Sequence, residues 1–349
     1  MNTNERYMYR CLDLASLGAG NTAPNPMVGS VIVNSGKIIG EGFHRKYGGP
    51  HAEVNAINAV KNQTLLKEST LYVNLEPCVH HGMTPPCSDM IIKNHIPKVV
   101  IGTIDPFDAV AGKGVEKMRK SGIEVITGIL KEECLELNKR FFTFHTKKRP
   151  YIILKWAQTN DCFIDIKRSK KDYGEPVWIT GDTSLRLVHK IRSTEDAILV
   201  GTNTAEKDNP SLTVRHWSGR NPLRLVIDKN LRLSTRLKLF NTDSKTLVIN
   251  SKKNSEEETV SFVKVDFEKD IYNRILTELF NRKILSLIVE GGKQILEGFI
   301  LRNLWDEAHI FTGNKYFFKG IEAPKLTGIL TGEETFEKDR LMIFRNPSQ

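Results

Sequence analysis

One histidine, two cysteines and a glutamate in the first quarter of the sequence could together carry out metal-dependent chemistry. His51 opens a predicted helix as His-Ala-Glu, Cys78 follows a predicted strand, and Cys87 lies at the start of the next helix after eight intervening residues. One imidazole and two thiolates are typical of a tetrahedral catalytic Zn²⁺ site, whose fourth position is left to water. Such an ion lowers the pKa of the bound water to about 7. Glu53 is placed to take a proton from that water and to pass it to leaving ammonia.

These four residues support this interpretation only as a set. A single histidine, or a pair of cysteines this far apart, is more often part of a core or a surface than a metal ligand. The joint pattern of H-x-E, then P-C, then a second cysteine favours metal ligands over core or surface residues, because it is the signature of zinc nucleobase deaminases. That signature has two residues between its cysteines, whereas residues 79–86 separate them here. The longer spacing needs an explanation of its own.

The composition is typical of a globular protein with two domains. The chain has 349 residues, of which 40% are hydrophobic and 26% are charged. A single domain usually has about 100 to 200 residues. The first ten residues are polar where a signal peptide would be apolar, and no stretch approaches the ~18 apolar residues of a membrane span. We therefore expect a cytoplasmic protein with no membrane partner.

The cysteines and the charge narrow the class of partner. An odd number of cysteines scattered along a long chain is a poor match to a disulfide framework, which favours thiols or metal ligands. The net charge is +10, but lysines and arginines alternate with acidic residues instead of forming one block. We therefore expect anionic small molecules, such as phosphorylated substrates and cofactors, and no nucleic acid. The cysteines are Cys11, Cys78, Cys87, Cys134 and Cys162.

Helix and strand signals alternate along both halves of the chain, which predicts an α/β fold. In the first half, we predict helices at residues 4–18, 51–61, 88–94, 112–121 and 131–146, a hairpin of strands at 28–33 and 37–43, and strands at 70–75, 98–102 and 124–127. The basic residues 147–149 before Pro150 are the best candidate linker. In the second half, we predict strands at 151–156, 197–200, 223–227, 246–249 and 285–289, helices at 183–191, 269–280 and 294–301, and an exposed basic loop at 167–172. The predicted domains are residues 1–147 and 148–349.

The segment Glu76-Pro77-Cys78-Val79-His80-His81-Gly82-Met83-Thr84-Pro85-Pro86-Cys87 resembles the zinc signature of the bifunctional deaminase-reductase family of riboflavin biosynthesis. Residues 24–29 (Pro-Asn-Pro-Met-Val-Gly), 49–53 (Gly-Pro-His-Ala-Glu) and 111–114 (Ala-Gly-Lys-Gly) are similar to further segments of that family. The resemblance covers nearly the whole chain. It implies a cytidine-deaminase-like three-layer domain followed by a domain similar to dihydrofolate reductase.

For the first domain, the resemblance implies hydrolytic deamination of a diaminopyrimidinone ribosyl phosphate. Asn25 would orient the pyrimidine ring and His44 would contact the substrate, whereas without the resemblance they are more simply a turn residue and a loop residue. Met83 departs from the family, which commonly has Lys or Arg there. A phosphate contact from that side chain is therefore missing, and another cation must replace it or binding should weaken.

For the second domain, the resemblance implies hydride transfer from NADPH to C1′ of the opened ribose. The Val289-Glu290-Gly291-Gly292 turn closes a predicted strand and opens a helix, which favours a site for the cofactor pyrophosphate. A Gly-Gly turn alone is weak evidence, and the G-x-G-x-x-G fingerprint is absent. The other implied cofactor-binding residues are Ala157, Trp178, Thr204 and Asp208, and the implied substrate-binding residues are Lys155, Arg192, Leu212, Arg215 and Glu290. Of these, Arg192 is the best candidate for a phosphate clamp.

Three alternatives remain open from the sequence. Cys162 stands where the family usually has glycine, which would cost about 1 kcal/mol if φ is positive there, so the reductase domain could be inactive. A nucleic-acid base deaminase would use the same zinc chemistry but leaves residues 150–349 unexplained. A scaffold protein with a structural zinc would need a fourth protein ligand, for which His80 and His81 are the candidates. Family members commonly assemble through their reductase halves, so we expect a homo-oligomer.

Overall fold

A computed structural model describes residues 2–79, 85–106 and 111–348 of the chain. The chain divides into two compact units, Met1–Lys148 and Arg149–Gln349. Among the described residues, no helix combines the length and the apolar character needed to cross a membrane. Each unit is an α/β structure built around one large sheet.

The first unit has a five-stranded sheet with the order β2-β1-β3-β4-β5. Strand β1 is antiparallel to β2 and β3, whereas β3, β4 and β5 run parallel to one another. The strands are β1 (Gly29–Asn34), β2 (Lys37–Phe43), β3 (Thr70–Leu75), β4 (Lys98–Thr103) and β5 (Glu124–Thr127), and the helices are α1 (Thr3–Ser16), α2 (Ala52–Ala59), α3 (Cys87–Lys93), α4 (Lys113–Lys120), α5 (Lys131–Leu137) and α6 (Lys139–Lys147).

Helices cover both faces of this sheet because successive strand residues point to opposite sides. On one face, Ile32, Val73 and Ile101 pack with the apolar residues of α2, α3 and α4. On the other face, Val31, Tyr72 and Val100 pack with residues of α1 and α5. The result is a three-layer arrangement whose middle strand, β3, leads directly into the segment that contains Cys78.

Helix α2 lies unusually close to strand β2. A Cβ on Gly40 or on Gly42 would lie 2.4 Å from a backbone atom of Ala56. Only glycine permits this approach, because any side chain would displace the helix. The two glycines thereby fix the height of α2 above the sheet, and with it the height of His51 and Glu53.

The second unit has a nine-stranded sheet with the order β11-β10-β9-β8-β12-β6-β13-β16-β15. The pairs from β11 to β13 are parallel, and β16 and β15 are added antiparallel. The strands are β6 (Tyr151–Thr159), β7 (Phe163–Asp165), β8 (Ala197–Gly201), β9 (Leu223–Ile227), β10 (Thr246–Asn250), β11 (Val260–Lys264), β12 (Ser286–Val289), β13 (Glu307–Gly313), β14 (Ile321–Glu322), β15 (Ile329–Phe336) and β16 (Asp339–Arg345), and the helices are α7 (Asp182–Thr194), α8 (Thr202–Asp208), α9 (Ile271–Asn281) and α10 (Lys293–Leu301). Strands β7 and β14 form a separate antiparallel pair.

The core of the second unit also lies on both faces of its sheet. Leu154, Leu199 and Leu287 belong to the larger cluster, which includes the apolar residues of α9 and α10. Ile198 and Ile288, each one residue away along its strand, belong to the cluster on the opposite face. This near-continuous burial is typical of parallel strands that are covered on both sides.

The structure differs from the sequence prediction in one divided helix, in several elements of the second unit that were not predicted, and in one loop. The helix predicted over residues 131–146 is divided at Asn138, whose side chain accepts a hydrogen bond from Met27 N (2.8 Å) and donates one to Met27 O (2.8 Å). Helix α8 and the strands β7, β11, β13, β14, β15 and β16 were not predicted. For β13, Glu307 and His309 interrupt the apolar pattern although both are buried. The predicted exposed loop at 167–172 contains Arg168, whose side chain is buried.

Candidate active sites

His51, Cys78 and Cys87 meet at one point of the first unit. His51 directly precedes α2, Cys78 follows the end of β3, and Cys87 is the first residue of α3. Their possible ligand atoms all lie within 4.8 Å of one another. His51 Nδ1 is 3.2 Å from Cys87 Sγ and 3.6 Å from Cys78 Sγ. The order of the strands therefore brings together residues that are up to 36 positions apart.

The spacing of these atoms fits a zinc ion. In a tetrahedral site with ordinary Zn–N and Zn–S bond lengths, two ligand atoms are separated by about 3.6 to 3.8 Å. The observed nitrogen-to-sulfur distances of 3.2 and 3.6 Å are close to this edge length. The Cys87 thiol donates a hydrogen bond to Cys78, which lowers the pKa of Cys78 to about 4. The same bond raises the pKa of Cys87.

Glu53 lies beside the three ligands with its carboxyl group buried. The residue is 3% exposed and belongs to the first turn of α2, so its side chain is anchored by the same helix as His51. The carboxyl group is within hydrogen-bonding reach of Cys87, and burial raises its pKa. A raised pKa suits a group that must both accept and release a proton near neutral pH.

Asn25 and His44 form a second layer next to the cluster. His44 is 2% exposed, and its ring lies edge-on to the ring of His51 with centroids 5.4 Å apart. Its Nδ1 is 3.0 Å from Pro50 O, which can only accept, so Nδ1 carries the proton. Its Nε2 then accepts from Asn25 Nδ2 at 3.1 Å. Within the part of the chain that the structure describes, this arrangement leaves Asn25 Oδ1 as an acceptor for another molecule.

Met83, His80 and His81 lie outside the described residues. The structure therefore bears neither on the missing phosphate contact at Met83 nor on a fourth protein ligand from either histidine.

Charged side chains converge at the carboxyl ends of neighbouring parallel strands in the second unit. Lys155 belongs to β6, and Glu290 directly follows β12, the next strand in the sheet. Arg192, in α7, donates to Glu290 through Nε (3.1 Å) and a terminal nitrogen (2.6 Å), and Lys155 Nζ lies 3.9 Å from Glu290 Oε1. Burial favours a higher pKa for Glu290, but the charges of Arg192 and Lys155 outweigh it and lower the pKa to about 2. Crevices at this edge of α/β sheets are common ligand sites.

Four expected cofactor residues lie near the ends of β8 and β12. Thr204, in α8, accepts a hydrogen bond from Gly292 N at 2.9 Å, so the two residues are in direct contact. A Cβ on Gly291 would lie 2.8 Å from Val200 Cα, which requires glycine there. Asp208 ends α8, and Arg168 donates to its carboxylate. Because Gly292 N is already bonded, a pyrophosphate would have to compete with Thr204 for it.

The segment that contains Leu212 and Arg215 is joined to α7. Arg215 N donates to His189 Nδ1 at 3.0 Å, and its guanidinium donates to Thr213 Oγ1 at 3.1 Å. Leu212 is 2% exposed and packs in the core, with φ at +54°. A substrate contact at Leu212 would therefore come from its backbone.

The remaining expected residues lie on β6 and beyond it. Ala157 follows Lys155 by two positions on β6, so both side chains point to the same face of the sheet. Trp178 is 53% exposed, and its carbonyl accepts from Lys315 Nζ at 2.6 Å. Cys162 is exposed with φ at +63°, so this departure from the family does place a side chain in the left-handed region.

Comparison with known proteins identifies the family. Residues 1–103 match the cytidine and deoxycytidylate deaminase zinc-binding region, and residues 150–328 match the RibD C-terminal domain. The riboflavin biosynthesis protein RibD of Aquifex aeolicus is 42% identical over 96% of this chain and 93% of its own length. The corresponding protein of Escherichia coli is 35% identical over 93% of this chain and 89% of its own length. The chain belongs to the RibD family.

A solved structure agrees with this assignment over both units. A diaminohydroxyphosphoribosylaminopyrimidine deaminase/5-amino-6-(5-phosphoribosylamino)uracil reductase from Thermotoga maritima is 39% identical, with a TM-score of 0.89 over 98% of each chain. The resemblance and the fold class inferred from the sequence are thus confirmed. This RibD protein is a bifunctional enzyme of riboflavin biosynthesis that combines deamination with reduction, and it uses Zn²⁺ and NADPH.

Sequence reasoning missed three residues that support these sites. Arg168 has an exposed fraction of only 5% and joins Asp165 to Asp208, which lies 40 positions away. His189 accepts a hydrogen bond from the backbone of Arg215, and Glu76 accepts one from the backbone at the start of α4. In the sequence, Glu76 is recognisable only as the first residue of the motif segment 76–87. No local spacing marks any of them, because each has at least one partner that is more than 20 positions away in the sequence.

Proposed function

We propose that the first unit deaminates 2,5-diamino-6-ribosylamino-4(3H)-pyrimidinone 5′-phosphate and that the second unit then reduces its ribosyl group to a ribityl chain. The name of the Thermotoga maritima protein supports this choice of substrates. The observation that carries the proposal is the meeting of His51, Cys78 and Cys87 beside the buried carboxyl group of Glu53. We assign residues 1–147 to the deaminase and residues 148–349 to the reductase.

In the deaminase, water adds to the ring carbon that bears the 2-amino group, and ammonia leaves. His51, Cys78 and Cys87 would hold the zinc ion, which supplies a Lewis acid that lowers the pKa of water to about 7. Glu53 takes a proton from the attacking water and delivers it to the departing amino nitrogen, so one carboxyl group serves first as base and then as acid. Its buried position limits the exchange of that proton with solvent.

Asn25 and His44 orient the pyrimidine. The protonated Nδ1 of His44 is held by Pro50 O, so His44 Nε2 accepts from Asn25 Nδ2 and fixes the amide. Asn25 Oδ1, which has no hydrogen-bond donor among the described residues, would then accept from an N–H group of the ring or its amino substituents. In this proposal His44 acts partly through Asn25, in addition to any contact of its own with the substrate.

The charges of the second unit match a phosphorylated substrate. Lys155, Arg192 and Arg215 supply three positive charges, and Glu290 supplies one negative charge, so the group carries a net charge of about +2. A phosphate monoester carries a charge of about −1.5 to −2 at neutral pH. Arg192 has five N–H donors. Two of them bind Glu290, and the others are left to bind the oxygens of a phosphate group.

The proposed cofactor site lies at the ends of β6, β8 and β12. NADPH supplies the hydride that C1′ of the opened ribose receives. The residues that we assign to cofactor binding are Ala157, Trp178, Thr204, Asp208, Gly291 and Gly292, and the residues that we assign to the reductase substrate are Lys155, Arg192, Leu212, Arg215 and Glu290. Their role is to hold donor and acceptor carbon atoms within reach of each other. On the family resemblance we also propose a cytoplasmic homo-oligomer that assembles through the reductase unit.

The substitution Glu53→Gln tests the first activity. General acid–base catalysis contributes about 10² to 10⁴-fold, so ammonia release should fall by at least about a hundredfold while the zinc content is retained. The control is Glu68→Gln, an exposed position in the same unit that makes the same change of charge. NADPH oxidation with the deaminated intermediate should be unchanged in both variants. Retention of more than a tenth of the deaminase rate by zinc-loaded Glu53→Gln would refute the proposed role, and absence of NADPH oxidation in the wild type would refute the second activity.

A further inference from the structure

Glu76 stands two residues before the zinc ligand Cys78 and has an unusual set of partners. It is 3% exposed, and among the described residues its carboxylate accepts hydrogen bonds from four backbone N–H groups. Oε1 accepts from Gly114 N (2.8 Å) and Val115 N (3.1 Å), whereas Oε2 accepts from Gly112 N (2.9 Å) and Asp105 N (3.2 Å). One side chain thus joins Asp105, which lies shortly after β4, to the first turn of α4.

The carboxylate acts as the N-terminal cap of α4. This helix starts at Lys113, and the residue before it, Gly112, has φ at +80° and no side chain to cap the helix. The N–H groups of Gly114 and Val115 are the second and third of the helix, which are the ones that a cap residue normally accepts. Glu76 supplies this cap from the end of β3, and its negative charge is favourable at the positive end of the helix dipole.

The backbone next to Cys78 is in close contact with both α4 and β4. A Cβ on Gly114 would lie 2.4 Å from Pro77 O, so α4 rests directly on the residue that precedes Cys78. Glu76 N also donates to Thr103 O at 3.0 Å, which ties it to the end of β4. Residues 76 and 77 are therefore clamped between β4 and α4.

Cys78 is held from its other side by the start of α3. Cys87 N donates to Cys78 Sγ at 3.4 Å, and Ser88 N donates to Cys78 O at 3.2 Å. These bonds orient the sulfur, but both come from the segment that contains the other zinc-ligand cysteine. The position of Cys78 relative to the sheet, and hence to His51, depends on the clamp at residues 76 and 77.

We propose that Glu76 is a positioning residue of the deaminase, which fixes Cys78 as a metal ligand by fastening the end of β3 to Asp105 and to the start of α4. The inference rests on the zinc site of the proposed function. Groups that orient metal ligands typically contribute 10- to 100-fold to metal affinity or activity. In Glu76→Gln, the amide nitrogen faces two N–H groups that it cannot accept from, so the clamp opens on one side.

The test compares the full-length wild type with Glu76→Gln, Glu76→Asp and the control Glu116→Gln. Glu116 lies in α4 with a side chain that is 62% exposed and pairs with Lys120 one turn further along the helix, so Glu116→Gln makes the same charge change away from β3. The measurements are the rate of zinc loss to a colorimetric chelator, the absorption spectrum after replacement of zinc by Co²⁺, and the kcat and KM of ammonia release. The reductase activity and the circular dichroism melt of each variant are recorded alongside.

We expect zinc loss from Glu76→Gln to be 10- to 100-fold faster than from the control. The thiolate-to-cobalt bands should shift or weaken, and kcat for ammonia release should fall more than KM rises, with reductase activity unchanged. Glu76→Asp keeps the charge and should lie between Glu76→Gln and the wild type.

Zinc loss and cobalt spectra that match the control, with only a lower melting temperature, would overturn the inference and leave Glu76 a purely structural residue. If Glu76→Gln does not fold, the same two outcomes are read from Glu76→Asp. A wild-type protein that binds neither zinc nor cobalt would instead refute the proposed function itself.

Discussion

Replacement of Glu290 by glutamine should destabilise the second unit in a way that depends on pH. In the folded protein, Arg192 and Lys155 overcome the effect of burial and lower the pKa of Glu290 from 4.5 to about 2. Each pKa unit corresponds to about 1.4 kcal/mol, so ionised Glu290 contributes about 3 kcal/mol to the free energy of unfolding at pH 7. Its removal leaves two buried cations without their counterion. Breaking a buried ion pair in this way typically lowers the free energy of unfolding by about 3 to 5 kcal/mol.

The sign of the pH dependence follows from the direction of the shift. Because the folded pKa lies below the unfolded one, the contribution of Glu290 is complete above about pH 5 and is lost as the pH falls towards 2. Of the 3 kcal/mol present at pH 7, about 2 kcal/mol should be gone at pH 3. The difference in stability between the wild type and Glu290→Gln should therefore be largest at neutral pH and should shrink in acid.

The position of the tryptophans makes this measurement specific. The chain has four tryptophans, Trp156, Trp178, Trp217 and Trp305, and all of them lie in the second unit. Urea unfolding followed by tryptophan fluorescence thus reports on the unit that contains Glu290. The control is Glu268→Gln, whose side chain is 85% exposed beside Lys229 and which should change stability by less than about 0.5 kcal/mol.

Two results would refute this reasoning. The first is a difference of less than about 1 kcal/mol between the free energies of unfolding of the wild type and Glu290→Gln at pH 7, because removing one partner of a buried ion pair should cost more than that. The second is a large difference that stays constant from pH 7 to pH 3. In that case the loss would come from packing and not from the charge of Glu290.

Two further predictions concern the second unit and use the same fluorescence measurement. A residue with a side chain in the left-handed conformation of Cys162 is destabilised by about 1 kcal/mol or more. Because glycine also has the larger conformational entropy in the unfolded chain, Cys162→Gly should raise the free energy of unfolding by only about 0.5 kcal/mol, whereas Cys162→Ala should leave it unchanged. A loss of stability in Cys162→Gly would contradict the argument. Burial, followed by the charges of Arg192 and Arg215, lowers the pKa of His189 to about 4, so the folded state resists a proton that the unfolded chain accepts near pH 6.5. The free energy of unfolding should consequently fall by about 3 kcal/mol between pH 6.5 and pH 4. In His189→Gln, whose amide oxygen can still accept from Arg215 N, this decrease with pH should be absent. An unchanged pH dependence in the variant would show that His189 does not titrate in this way.

Much of the first site could be predicted from the sequence because its residues are chemically specific. An imidazole and two thiolates in the H-x-E, P-C and Cys pattern have few other uses, so His51, Cys78, Cys87 and Glu53 were identified without any coordinates. The strand and helix types of the first unit followed from periodicity, since each strand is a short apolar run between turn residues. Periodicity could not show that Asn138 divides one predicted helix, because its partner, Met27, is 111 positions away.

The second site depended more on the tertiary structure. Lys155, Arg192 and Glu290 could be named from a family resemblance, but only the parallel order of β6 and β12 shows that their side chains form one ion-paired group. The same holds for Arg168, which looked like part of an exposed basic loop until its contact with Asp208 was visible.

The sequence by itself determined which functional groups this protein has and, through the zinc pattern, what the first of its reactions requires. The tertiary structure decided which of those groups are paired, which are buried, and which hydrogen-bonding positions are left for a ligand. The physical reason is that local sequence sets chemical identity and backbone preference over a few residues, whereas pairing across 30 to 100 positions depends on strand order and on the paths of the loops. Glu76 illustrates the division, since its place in the motif was plain from the sequence but its four backbone partners exist only in the folded chain.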